Sequence, residues 1–126
     1  MLTPDQFRVN EVWIAFRVNE SFMFVQDEPY DIYVLIDAAS TYAFGHVPVR
    51  VTDEIPKEKD VDTLFQEAWG AKRQWPRKLI LAKDDPAKNI FRMQAEKNGL
   101  SFETVPLSDL SPIVEPMKEL FASQFG

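Results

Sequence analysis

Residues 11–18, Glu-Val-Trp-Ile-Ala-Phe-Arg-Val, alternate in character. Val12, Ile14, Phe16 and Val18 fall on one face, and Trp13, Ala15 and Arg17 on the other. A period of two carried by β-branched and aromatic residues predicts a strand. Phe22-Met23-Phe24-Val25 predicts a second, short one. Residues 31–37, Asp-Ile-Tyr-Val-Leu-Ile-Asp, form an apolar run closed by an acid at each end, the pattern of a central strand buried on both faces. Thr41-Tyr42-Ala43-Phe44-Gly45 begins another strand, which Val47-Pro48-Val49-Arg50-Val51 continues or follows. Pro48 cannot donate to a ladder, so it marks an edge or a bulge.

Beyond residue 55 the period changes. Val61, Leu64, Phe65, Ala68 and Trp69 make a helical stripe, with Asp60 as its expected cap, Lys72 and Arg73 at its end and Pro76 beyond. Leu79-Ile80-Leu81-Ala82 predicts a buried strand. Asp85-Pro86 reads as cap and first residue of a helix with Ala87, Ile90, Phe91 and Ala95 on one face, ended by Asn98-Gly99. Phe102-Glu103-Thr104-Val105 is the last strand. Ile113, Val114, Met117, Leu120 and Phe121 trace a final helix that starts at Ser111-Pro112 or at Glu115-Pro116. Thr3-Pro4-Asp5-Gln6 has capping-box spacing and predicts a short N-terminal helical turn. The order is strand, strand, strand, helix, strand, helix, strand, helix. It predicts one α/β domain over residues 1–126, with a mixed five-stranded sheet of three antiparallel strands followed by alternating helices and strands.

Composition narrows the chemistry. The chain has no Cys, one His and four Gly. Thiolate metal sites, disulfides, cysteine nucleophiles and two-His metal motifs are therefore absent, and no glycine-rich phosphate cradle can form. Carboxylates remain as the available catalytic groups. Fourteen basic against twenty acidic residues give a net charge of −6. That balance disfavours nucleic acid and anionic membranes, whose binding draws on phosphate neutralisation. The expected partners are a protein, a small ligand or a second copy of the chain. No apolar run approaches the roughly 20 residues of a membrane helix. Met1-Leu2-Thr3-Pro4-Asp5 lacks the basic and apolar regions of a secretory signal, so a cytoplasmic location is expected.

The element order and several local patterns resemble the ribonuclease H-like core, and most closely the catalytic domains of integrases and transposases. Those domains have a Trp-bearing first strand, an apolar strand ending in Asp, a small-residue turn and a strand with Gly. The matching segments are Val12-Trp13-Ile14-Ala15-Phe16, Tyr33-Val34-Leu35-Ile36-Asp37, Ala38-Ala39-Ser40-Thr41 and Tyr42-Ala43-Phe44-Gly45. A later strand preceded by Pro and ending in Asp matches Pro76 to Asp84 or Asp85. The chain also resembles a bacterial family of small domains of unknown function with the same Trp strand, the Ile-Asp-Ala step (Ile36-Asp37-Ala38) and a Pro-initiated Lys-Leu-Ile-Leu strand (Pro76, then Lys78-Leu79-Ile80-Leu81).

The resemblance to nucleases implies two divalent metals held by three or four carboxylates. Their first essential Asp follows the Trp on the first strand, where this chain has Ala15 or Phe16. Asp84 or Asp85 matches the second, and Glu115 or Glu119 the helical Glu. Asp37 matches a strand-end acid that is not a ligand in that family. The implied site therefore lacks its first ligand.

Each candidate has a structural reading beside the functional one. Asp85 reads first as the cap of the helix at Pro86, and Asp37 as readily as a turn residue. His46 has no His or Cys partner and reads as structural. Trp13 and Arg17 share a strand face on which a ligand can stack, and Trp13 also suits the core. Lys72, Arg73, Trp75, Arg77 and Lys78 form a basic cluster that reads as a solvated helix end. Phe121 and Phe125 are candidates for contact with a neighbouring copy. The expected function is a non-catalytic ribonuclease H-like interaction or ligand-binding module with no cofactor. The alternative is a divalent-metal-dependent nuclease, using Mg²⁺ and a rearranged carboxylate site drawn from Asp37, Asp84, Asp85 and Glu119.

Overall fold

The computed structural model describes residues 1–20 and 23–125. A 3-10 turn at Pro4–Gln6 leads to β1 (Val12–Arg17), β2 (Met23–Val25), β3 (Glu28–Asp37) and β4 (Ala43–Arg50). A second 3-10 turn, Val51–Asp53, precedes α1 (Glu58–Lys72). Then follow β5 (Lys78–Ala82), α2 (Lys88–Lys97), β6 (Ser101–Val105) and α3 (Leu107–Phe125). The expected N-terminal turn is present, and the Gln6 side chain accepts from the Thr3 N–H at 3.2 Å.

All six strands join one mixed sheet. β1 pairs antiparallel with β3 and parallel with β5, and β5 pairs parallel with β6. Tyr30 pairs with Met23 of β2 and Arg50 of β4 at once, so those two strands flank β3 on opposite edges. β1 and β4 also flank the stretch Tyr33–Ile36 on opposite edges. Hence β2 continues the line of β1, and the order across the sheet is β4, β3, β1 with β2, β5, β6. The mixed sheet has six strands where five were expected, because the short β2 extends the line of β1 as a separate strand. Where the β1–β2 line breaks, the buried Asn19 side chain stands in for main chain: its Oδ1 accepts from Ile32 N at 2.8 Å and its Nδ2 donates to Tyr30 O at 3.0 Å.

The alternation read in β1 becomes two cores. Trp13 and Ala15 pack with Tyr33, Leu35, Leu79 and Leu81 under Leu64 and Phe65 of α1 and Phe91 of α2. Val12, Ile14 and Phe16 pack with Val34, Ile36 and Ile80 under Leu110, Ile113 and Val114 of α3. A central strand buried on both faces follows from β1 lying between β3 and β5.

Helix boundaries depart from expectation in two places. α1 starts at Glu58 with Lys57 at the cap position, one turn earlier than Asp60 implied; Glu58 and Asp60 instead place acid in the first turn, where the helix dipole favours it. α3 begins at Leu107 and runs through both Pro112 and Pro116, so neither proline marks a start. Each proline removes one helical donor. The burial of Leu110, Ile113 and Val114 against the sheet outweighs that loss. The Asn98-Gly99 stop is as expected: Gly99 takes φ +80°, and Leu100 N donates back to Ala95 O at 2.9 Å.

Trp13 is corrected as a ligand-stacking candidate. It is fully buried, its ring lies 5.0 Å from Phe44 and 5.9 Å from Phe65, and its Nε1 donates to Asn10 Oδ1 at 2.7 Å. Phe125 was a candidate contact residue; its side chain lies outside the described residues, as does the Phe22 start of the second predicted strand. Among the described residues, no helix is long and apolar enough to cross a membrane.

Candidate functional site

β1 and β5 run parallel and finish at the same end of the sheet, the end at which α/β folds gather their ligands. A cleft of about 290 Å³ opens there. Phe16 and Arg17 close β1, Asp31 and Tyr33 come from β3, and Asp84 and Asp85 follow β5. Leu107 and Lys118 of α3 form the opposite wall.

Strand register assembles the polar side. Arg17 lies directly across from Tyr33, and Asp31 sits two residues from Tyr33 on the same face. Arg17 Nη1 lies 3.6 Å from Asp31 Oδ1, an ion pair longer than a hydrogen bond. That Asp31 oxygen is buried and has no hydrogen-bond partner. The Tyr33 hydroxyl donates to Asp85 Oδ1 at 2.8 Å, and the same oxygen accepts from Ala87 N at 2.8 Å. The second bond is the local reason for Asp85: it closes the turn that launches α2, which starts two residues later than the Asp85-Pro86 reading implied.

Burial shifts both groups of this pair. It pushes the Asp85 carboxyl above the usual range, against the opposing pull of the Ala87 amide and the Tyr33 hydroxyl. It also pushes the Tyr33 hydroxyl far above its ordinary value, helped by the charge and hydrogen bond of Asp85. On the far wall, Lys118 is mostly buried and its Nζ lies 3.6 Å from Glu115 Oε1.

The candidate acids do not all meet. Asp84 and Asp85 line the cleft. Asp37 pairs with Trp13, four residues along β3 from Tyr33, about 13 Å away by strand rise. Its carboxylate is buried and fully engaged: Oδ1 accepts from Asn10 N at 2.8 Å, and Oδ2 from Ser40 N at 3.0 Å and Ser40 Oγ at 2.6 Å. It builds the turn after β3. Glu119 is exposed beside Lys118 and does not line the cleft. Arg17 does line it, without Trp13. His46 is exposed on β4, away from the cleft.

Three cleft residues carried signals that the sequence reading did not use. Lys118 falls on the apolar stripe of α3, four after Val114 and three before Phe121, where a solvated lysine is out of place. Tyr33 is the one hydroxyl in an otherwise aliphatic run, and Asp31 is the acid that opens it.

The side chains do not suit the divalent metals that the nuclease resemblance implies. On β1 the first-ligand position offers Ala15 and Phe16, both buried in the core. The helix contributes an ammonium group, Lys118, to the cleft. Among the described residues, no group of three or more His, Cys, Asp or Glu side chains is arranged to hold a metal ion.

No family model matches the chain, and no curated protein matches it. Solved structures do. The HTLV-2 integrase catalytic core domain, in complex with magnesium in its dimeric form, superposes with a TM-score of 0.62 at 11% identity, over 91% of this chain and 69% of that one. The simian T-cell lymphotropic virus intasome, in complex with a PP2A regulatory subunit, gives 0.63 at 12% identity over 90% of this chain and 39% of that one. The BIV integrase catalytic core gives 0.51 at 11% identity over 90% of this chain and 65% of that one. At such identities the likeness concerns architecture, and the chain has the ribonuclease H-like fold of these integrase cores.

Proposed function

We propose that this chain is a non-catalytic ribonuclease H-like domain that binds a small ligand in the cleft at the ends of β1 and β5. The observation that carries the reading is the identity of the side chains there. A metal-dependent phosphoryl-transfer site needs convergent carboxylates to hold the ions that stabilise attacking and leaving oxygens. This cleft holds Asp31, Asp84 and Asp85, but with Phe16 at the strand position and two cations, Arg17 and Lys118, on the same walls. A cation fixed on the chain repels a divalent ion from the same few ångströms. The net charge of −6 adds no attraction for a nucleic-acid backbone. The HTLV-2 core is described with magnesium; the rearranged-carboxylate nuclease reading would need the same ion here, and of its four acids only Asp84 and Asp85 reach the cleft.

The test is a titration of the protein with Mg²⁺ and Mn²⁺, followed by melting temperature and by cleavage of DNA, RNA and hybrid duplexes. No specific rise in melting temperature and no cleavage are expected. Metal-dependent cleavage that Asp84→Asn or Asp85→Asn abolishes would overturn the reading.

A further inference from the structure

We propose that the ligand of this cleft is a small zwitterion of the free amino-acid class, its carboxylate taken by Arg17 and Lys118 and its ammonium by Asp84 and Asp85. The inference rests on the reading of the cleft as a ligand site. It concerns only which ligand enters.

Size is the first constraint. At about 290 Å³ the cleft lies at the bottom of the range for small-molecule sites, roughly 300–1,000 Å³, so it suits a compact molecule.

Charge is the second. Two cations and three carboxylates face one space, and the chain leaves both signs under-bonded. Arg17 and Lys118 each hold their internal partner at 3.6 Å, beyond hydrogen-bond reach. Asp31 Oδ1 is buried without a hydrogen bond. Asp84 makes no ion pair among the described residues. Asp85 is tied through Oδ1, on the side facing Tyr33 and Ala87.

An anion alone would meet Arg17 and Lys118 but bring a fourth negative charge among three carboxylates. A simple cation would satisfy Asp84 and Asp85 but add a third positive charge beside two whose ion pairs are longer than a hydrogen bond. A ligand with both signs removes both deficits and adds no net charge to a partly desolvated space, where unpaired charge is most costly. Phe16, Ala82 and Leu107 supply an apolar wall for its carbon skeleton. The raised Asp85 carboxyl agrees with this: burial disfavours its charge, and a neighbouring ammonium would restore it.

The experiment screens the intact protein against the standard L-amino acids at millimolar concentration by thermal shift. The best binder is then compared by calorimetry with its amide, which lacks the carboxylate, and its deamino acid, which lacks the ammonium. Each analogue should bind at least about tenfold more weakly, the loss of roughly one charged hydrogen bond. Arg17→Gln should weaken the amino acid by a similar factor and leave the already weak amide unchanged. Arg17 is part-exposed and outside both cores, so the variant is expected to fold, and a cooperative melting transition checks this. The proposal is overturned if no amino acid binds, or if the amide or the deamino acid binds as well as its parent. Binding of inorganic phosphate or of ethylamine in an Arg17- or Asp84-dependent manner would overturn the zwitterion while leaving the non-catalytic binding module standing. Metal-dependent cleavage would remove the module reading itself.

Discussion

The hydroxyl of Tyr33 reaches from the middle of β3 to Oδ1 of Asp85, 52 positions later in the chain, at 2.8 Å. It ties the central antiparallel pair to the turn that launches α2, across the back of the cleft. Tyr33→Phe should cost about 1 kcal/mol in urea unfolding, the net worth of one hydrogen bond. It should also raise the Asp85 pKa further, because that bond favours the charged carboxylate. Carbon-detected NMR titration of the Asp85 carboxyl reads the second effect; a fall in its pKa would contradict the bond.

Asp85 sets a pH dependence of definite sign. Its ordinary pKa is 3.8, and burial raises it in the folded protein. The native state therefore binds the proton more tightly than the unfolded chain does. The favourable contribution is fully present below the ordinary value and is lost as pH rises through the folded one. Asp85→Asn keeps an oxygen acceptor for the Ala87 amide and removes the titration. Its stability should be flatter with pH across that window than the wild type, measured by denaturant unfolding at a series of pH values.

Asp37 should behave as a structural residue. Asp37→Ala strips acceptors from Asn10 N and Ser40 N, and about 3 kcal/mol of stability should go with them. Cleft binding by the surviving folded protein should match wild type in calorimetry. A loss of binding without a loss of stability would put Asp37 back among the ligand-binding groups.

Asn19 should matter more than its place in a loop suggests. Asn19→Ala leaves Ile32 N–H without its acceptor and Tyr30 C=O without its donor at the break between β1 and β2. A cost of about 1–3 kcal/mol is expected, with faster hydrogen exchange at the Ile32 amide as the local readout.

The fold was legible because its logic is local. Val12 to Val18 announce a strand by their alternation, and the apolar run 31–37 announces one buried on both faces, as Tyr33 to Ile36 are. Val61 to Trp69 announce a helix with one apolar face. Pro112 and Pro116 misled, because a proline's local preference for helix starts was overridden by packing of Leu110, Ile113 and Val114 on the sheet, which no local rule sees. The cleft was half legible. Asp84, Asp85 and Arg17 stood out as charges at strand ends. Asp31, Tyr33 and Lys118 join them only through the β1–β3 register and the seating of α3, which are long-range facts. Trp13 and Asp37 looked functional because aromatic and acidic side chains near a strand end serve packing and turns as readily as ligands.

Pro48 has a consequence for how copies of this chain meet. It lies opposite Ile32, whose N–H and C=O both point toward the β1–β2 side, so its own main chain faces outward from β4, the free margin of the sheet. A proline there offers no N–H, and a visiting strand would find a missing rung in the C-terminal half of the margin. Strand-by-strand growth into fibrils is blunted on that side, and any self-association across it has to be made by side chains.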